Sequence, residues 1–297
     1  MKTPREQQKR PVALKSAKRR NWPLLVFLIL AAAYFAAILM YRFGEDAEQN
    51  AIIVERAQRM ATTAVGLALP GTPDLADLPG RLAAHGVKLG SPVFMRIFKR
   101  DFELELWMQR DGRFHKFATY PICRWSGKLG PKTVQGDHQA PEGFYTVDAK
   151  ALNPNSRWHR SFNLGYPNAY DQSFSRSGSL IMVHGGCGSV GCFAMTNAVI
   201  DEVWQIVTAA LAAGQIRYQV QVFPFRMSQT NLDSHATSPN AQFWRDLKTG
   251  HDLFEAGNLP PRVSVCGQRY EFEAAGPVLD GSAPITVHCT GQSGKKA

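Results

Sequence analysis

A histidine and a cysteine stand at the two ends of one glycine-rich loop in the stretch Leu180-Ile-Met-Val-His184-Gly-Gly-Cys187-Gly-Ser-Val-Gly191-Cys192. A thiolate is the strongest ordinary side-chain nucleophile near neutral pH, and an imidazole within reach can take its proton and return it to a leaving amine. A peptide bond is the natural target of such a pair. The tetrahedral intermediate needs backbone N–H donors, and Gly191 followed by Cys192 at a tight turn can aim two amides the same way. Three other readings compete for these residues: zinc held by His184, Cys187 and Cys192, a Cys187 to Cys192 disulfide, or cysteines that fill a core. The His-x2-Cys-x4-Cys spacing lacks a nearby fourth ligand, which disfavours metal, and no cofactor motif is present.

Two elements must position the pair. Residues 180–183 are apolar and read as a short buried strand that delivers His184. After Cys192 the pattern turns helical, with Thr196 or Asn197 as N-cap, Val199, Val203, Ile206, Val207 and Ala210 at helical spacing, and Gly214 as the stop. The positive end of that helix, if it comes close, favours a thiolate at Cys192.

Around this centre the chain reads as mainly β with flanking helices, an α+β class. Residues 93–98 and 102–108 alternate with period two, Arg110-Asp-Gly112 is a turn signal and 113–122 gives the return strand of a hairpin. Residues 140–147 and 215–223 are further strands, while 150–179, rich in Asn, Ser, Arg, Gly and Pro, read as a long surface loop. The β-rich catalytic domain is expected over 89–226. An extension over 227–297 carries a helix at 240–256 and strands at 262–272 and 284–289.

The formal charge of +10 is concentrated at the N-terminus. Lys2, Arg5, Lys9, Arg10, Lys15, Lys18, Arg19 and Arg20 precede the uncharged run from Trp22 to Tyr41, and the remaining chain is near neutral, which argues against nucleic acid. An uncharged run of about twenty residues with a basic N-terminal flank and aromatic ends is expected to cross a membrane. The expected order is a cytoplasmic basic tail at 1–21, a transmembrane anchor at 22–43 and a helical stalk at 44–88. A single pass then puts the domain on the periplasmic side of the inner membrane. A cleaved signal peptide is the competing reading, and the run is longer than the apolar core of such peptides.

Five cysteines in an exported chain leave at least one unpaired. Cys266 and Cys289, both in strand-like segments, are the expected disulfide. Cys123 and Cys187 have no assigned role, and substitution of Cys187 is expected to be mild. His138 and His159 lie in loops ahead of the site; the other histidines outside it have no partner at informative spacing.

His184-Gly followed by Ser189-Val-Gly191-Cys192 resembles the catalytic motif of the YkuD-type L,D-transpeptidases. The wider string, with Gly130-Pro-Lys, Gln135-Gly-Asp-His-Gln-Ala-Pro-Glu-Gly-Phe-Tyr145, Leu152-Asn-Pro-Asn-Ser156, Ser161-Phe-Asn-Leu-Gly-Tyr-Pro-Asn168 and Gly191-Cys-Phe-Ala-Met195, is similar to the YafK/DpaA branch of that family over about residues 90–275. The resemblance implies a YkuD-like catalytic domain that acts on peptidoglycan stem peptides. It implies Cys192 as nucleophile and His184 as base, oriented by the Gly185 carbonyl, with Ser189 in support. In this branch it points to hydrolysis of the link between peptidoglycan diaminopimelate and a lipoprotein lysine, whereas other members transfer the acyl group to an amine. The loop between His184 and Cys192 is shorter than in the common pattern, and Val190 stands where a histidine is frequent. Both differences bear on the acyl acceptor. The alternative from another class is an idle, membrane-anchored peptidoglycan-binding protein, for which an oxidised Cys187 to Cys192 bond would speak.

Overall fold

The structure, a computed structural model, describes residues 22–276 and 280–289. The expected basic tail lies outside these. The chain divides into two compact units, residues 1–48 and 49–297. The helix α1 (Trp22–Ala64) is continuous, so the expected anchor and the first part of the expected stalk are one element. Among the described residues no helix is long and apolar enough to cross a membrane. In the first unit α1 exposes Phe27, Ile29, Leu30, Tyr34 and Phe35.

The second unit begins well before residue 89, because the segment expected to be a stalk contributes to its core. Ile52 on the last turns of α1, and Leu78 and Leu82 on α2 (Leu78–Ala84), are buried in the main cluster. Asp77 caps α2 by accepting from the Gly80 N–H at 2.9 Å. Arg56 lies 4.2 Å over the Trp125 ring and donates to the Gly127 carbonyl at 2.6 Å, so the end of α1 is tied to the domain by polar contacts as well.

The strands and helices that follow are β1 (Val93–Phe98), β2 (Glu103–Arg110), β3 (Arg113–Pro121), β4 (Arg124–Trp125), β5 (Gly143–Asp148), β6 (Leu152–Ser156), β7 (His159–Asn163), α3 (Ala169–Ser173), β8 (Met182–His184), β9 (Phe193–Ala194), α4 (Asn197–Ala212), β10 (Arg217–Phe223), α5 (Gln229–Ser234), α6 (Ala241–Gly257), β11 (Arg262–Cys266), β12 (Arg269–Glu273) and β13 (Thr286–Val287). They form a sheet-rich α+β fold. One sheet has the order β3-β2-β1-β10-β5, a second β4-β9-β8-β7-β6, and a small third β12-β11-β13.

β1 departs from the alternation expected of it: all six residues are buried. Val93, Met95 and Ile97 join the main core with α4, while Phe94 and Phe98 face clusters built with Phe254 and Trp244 of α6. The C-terminal extension therefore covers the second face of this sheet. Arg96, buried in the same strand, is neutralised by Glu105 of β2 at 2.9 Å.

The second departure is the expected surface loop at 150–179, which contains the hairpin β6–β7 and α3. β6 is polar and carries Pro154, both tolerated because it is the edge strand of its sheet. The stretch 262–272 is likewise two strands, turned at Gly267 and Gln268, which both have positive φ (54° and 63°).

Candidate active site

β8 and β9 are parallel neighbours, with Val183 opposite Phe193 and His184 opposite Ala194. Parallel strands ordinarily need a long crossover. Here the chain returns from the end of β8 to the start of β9 through residues 185–192 alone, and positive φ at Gly186, Cys187 and Gly191 makes the return possible. The register puts Cys192 beside Met182, and the Met182 N–H points to the Cys192 sulfur at 3.4 Å. Side chains of a strand alternate between faces, so Met182 and His184 share one, and Cys192 lies on it diagonally from the imidazole. Cys192 is the free cysteine.

His184 is almost fully buried, and its Nδ1 is 2.6 Å from the Gly185 carbonyl oxygen. A carbonyl only accepts, so in the neutral ring Nδ1 carries the proton and Nε2 is the open base. Gly185 is required by close approach: an added Cβ would lie 2.7 Å from Asn197 Oδ1 and 3.0 Å from Ile200 Cγ2. Burial lowers the His184 pKa against the small raising effect of that hydrogen bond. Burial also raises the Cys192 pKa, offset in part by the Met182 N–H and the charge of Lys132. Both shifts favour a neutral thiol beside a neutral imidazole. Burial thus acts on Cys192 against the thiolate that a nearby helix N-terminus would favour.

Ser189 Oγ donates to the Cys192 carbonyl at 2.6 Å, and Ser126 Oγ lies 2.8 Å from both the Ser189 carbonyl and its hydroxyl. The backbone that carries the thiol is thereby pinned from the β4 side. A disulfide joins Cys123, just before β4, to Cys187 in the loop, and another joins Cys266 to Cys289. With Cys187 in a disulfide, the trio His184, Cys187 and Cys192 cannot present two thiolates to a metal; among the described residues no group of three His, Cys, Asp or Glu is arranged for one.

Several contributors carried no motif. Trp158 at the β6–β7 tip holds its ring 5.9 Å from that of His184. His159 pairs with Asp201 of α4 at 2.8 Å, while His138 is exposed. Cys123 was within reach of elimination, since pairing Cys266 with Cys289 and leaving Cys192 free leaves Cys123 and Cys187 for each other. A cleft of about 640 Å³ lies against the loop, lined by Gly186, Cys187, Gly188 and residues of the segment 60–75, and includes neither His184 nor Cys192.

Residues 102–250, half of the chain, match the family described as the L,D-transpeptidase catalytic domain, YkuD. YafK from two strains of Escherichia coli, provisionally named as an L,D-transpeptidase, is 46% identical over 182 residues, which is 61% of this chain and 74% of that protein. Among solved structures, the helical cell shape determining protein Pgp2 from Campylobacter jejuni is 22% identical, with 61% of this chain and 67% of that one covered and a TM-score of 0.37. Bdellovibrio bacteriovorus Bd1075 is 22% identical, covering 55% and 60%, with a TM-score of 0.33. This chain thus spans two thirds or less of those two, a likeness too loose to carry inference. The matched region contains the β8–β9 loop, its histidine and its free cysteine, and the chain belongs to the YkuD-type L,D-transpeptidase family.

Proposed function

We propose that the protein is a peptidoglycan-modifying cysteine enzyme that works through a thioester on Cys192. His184 Nε2 takes the proton of the Cys192 thiol as sulfur attacks the carbonyl carbon of a stem peptide or isopeptide bond. The N–H groups of Gly191 and Cys192 hold the oxyanion. His184 then protonates the departing amine, and the acyl group stays on sulfur. In the second half His184 deprotonates water, releasing a carboxylate, or an amine, forming a crosslink. Water is the preferred acceptor in this reading, with the bond between diaminopimelate and a lipoprotein lysine as the substrate. The observation that carries it is the free cysteine diagonal to a histidine whose Nδ1 is held by Gly185, which leaves Nε2 as the base. The Cys187 to Cys192 bond that would speak for the idle anchor is not formed, since Cys187 is bonded to Cys123.

The test is to incubate the full chain with muropeptides, with and without attached lipoprotein, and weigh the products. Wild type should release lipoprotein or join stems. Cys192→Ala should do neither while its circular dichroism is unchanged, and His184→Ala should lose several orders of magnitude, because such groups act as a unit. Turnover by Cys192→Ala would reject the mechanism.

The same reading keeps the N-terminal segment as a membrane anchor with the catalytic unit on the periplasmic side. It is supported by the sequence alone, in the uncharged run from Trp22 to Tyr41 behind a basic flank. A reporter fused near residue 90 should be active only outside the cytoplasm. Cytoplasmic activity there would reject it.

A further inference from the structure

The β6–β7 hairpin turns at Arg157 and Trp158 directly over the site. The register pairs Ser156 with His159 and, further down, Ser161 of β7 with His184 of β8, so the hairpin tip overhangs the base. The Trp158 indole lies 5.9 Å from the imidazole at 31°, and a Cβ added at Gly186 or Gly188 would come within 3.2 or 3.3 Å of it. The ring therefore packs on the glycine loop, yet it remains 42% exposed. An indole held against a loop on one side and open to water on the other is a ready surface for a substrate chain. Its position is fixed from behind: Asp201 Oδ1 takes His159 Nε2 at 2.8 Å and Arg160 Nε at 2.6 Å, which clamps the hairpin to α4. Arg157 is exposed, sits 5.3 Å over the Trp158 ring, and makes no ion pair among the described residues. A guanidinium stacked on an aromatic face is oriented at low entropic cost and presents donors suited to a carboxylate.

We propose that Trp158 and Arg157 form a substrate-recognition wall beside His184, in which the indole packs along the peptide stem and the Arg157 guanidinium binds a free carboxylate close to the scissile bond. This rests on the site's acting on peptide stems, and it assigns the specificity of that site to the hairpin tip. Neither residue moves a proton, so the wall should act through KM and through discrimination between substrates.

Two stem peptides test it, one with a free carboxylate next to the scissile bond and one amidated there. Binding is measured by calorimetry to the full chain carrying Cys192→Ala, and turnover to the chain with Cys192 intact. Arg157→Ala should weaken binding of the free acid about tenfold and raise its KM equally with kcat little changed, while leaving the amidated peptide unaffected. Arg157→Lys should recover part of the loss, and Trp158→Ala should weaken both peptides, with Trp158→Phe intermediate. Equal effects of Arg157→Ala on the two peptides, or failure of Cys192→Ala to bind either, would overturn the wall. Normal turnover with no Arg157 discrimination rejects the wall and leaves the catalytic reading standing. Discrimination in binding without any turnover by the intact chain rejects the catalytic reading and leaves the wall.

Discussion

Cys123 and Cys187 are bonded across a sequence separation of 64 residues, and the bond ties the glycine loop to the strand beside Cys192. Substitution of Cys187, mild if that cysteine were free, should instead act on both stability and rate. By the chain-entropy relation a disulfide closing a loop of this size contributes about 4 kcal/mol. Cys123→Ala and Cys187→Ala should lower the melting temperature alike, and the double variant should add little to either, since both remove the same bond. Additive losses in a thermal melt would show that the cysteines act separately.

The charge state of the pair sets the pH profile. Burial lowers the His184 pKa, so the protonated, inactive imidazole should appear only below the ordinary value of 6.5, and kcat/KM should fall on the acid side with a midpoint below it. Cys192 is raised by the same desolvation. Alkylation of Cys192 by iodoacetamide in the His184→Ala variant should therefore climb only at pH above the ordinary thiol range. A rate that is high and flat from about pH 5 to pH 8 would mean a preformed thiolate and would contradict the neutral pair.

The part of this molecule readable from sequence is the part dictated by local pattern. The apolar run into His184, the glycines after it and the capped helix α4 all follow from spacing and turn chemistry, and they define the loop that holds the thiol. What escaped was long-range. β6 looked like loop because an edge strand tolerates polar residues and Pro154, and β1 looked half-exposed because its second face is covered by elements far along the chain, α6 among them. Trp158 escaped for the same reason: its role comes from a hairpin register that brings residues 158 and 184 together, and no local spacing encodes it.

Gly185 offers a test of how the base is held. Its α-carbon is packed so closely that a methyl group would sit 2.7 Å from Asn197 Oδ1 and 3.1 Å from His159 Cβ. Gly185→Ala must displace the Asn197 side chain or shift the backbone whose carbonyl fixes Nδ1 of His184. The variant should lose at least tenfold in kcat, since small displacements of positioned groups are costly, with KM changed less. Unaltered kcat in a variant whose crystal structure shows the 185 carbonyl displaced from Nδ1 would show that the carbonyl does not orient the ring.

Lys99 is fully buried, and its three N–H donors are shared among four acceptors, the carbonyls of Lys128, Gly130 and Ala140 at 2.9 to 3.0 Å and Glu142 Oε1 at 2.9 Å. Glu142 also accepts from the Gly130 N–H at 2.7 Å and from Trp244 Nε1 at 2.8 Å, so the pair organises residues 128–142 and joins them to α6. That segment reaches the site through Gln139, whose carbonyl oxygen would be 3.7 Å from a Cβ on Gly191. Burial pulls the Lys99 pKa down, and the Glu142 carboxylate opposes it. Removing one member of a buried pair leaves the other charged and unmatched, at a cost of about 3 to 5 kcal/mol. Lys99→Met should therefore lower the melting temperature by on the order of 10 °C. The double variant Lys99→Met with Glu142→Gln should regain much of the loss, because the amide keeps a hydrogen-bonding oxygen for Gly130 or Trp244 and carries no charge. Scanning calorimetry separates the outcomes: a double variant no more stable than Lys99→Met alone would show that the lysine acts through its three carbonyl contacts and that the ion pair contributes nothing.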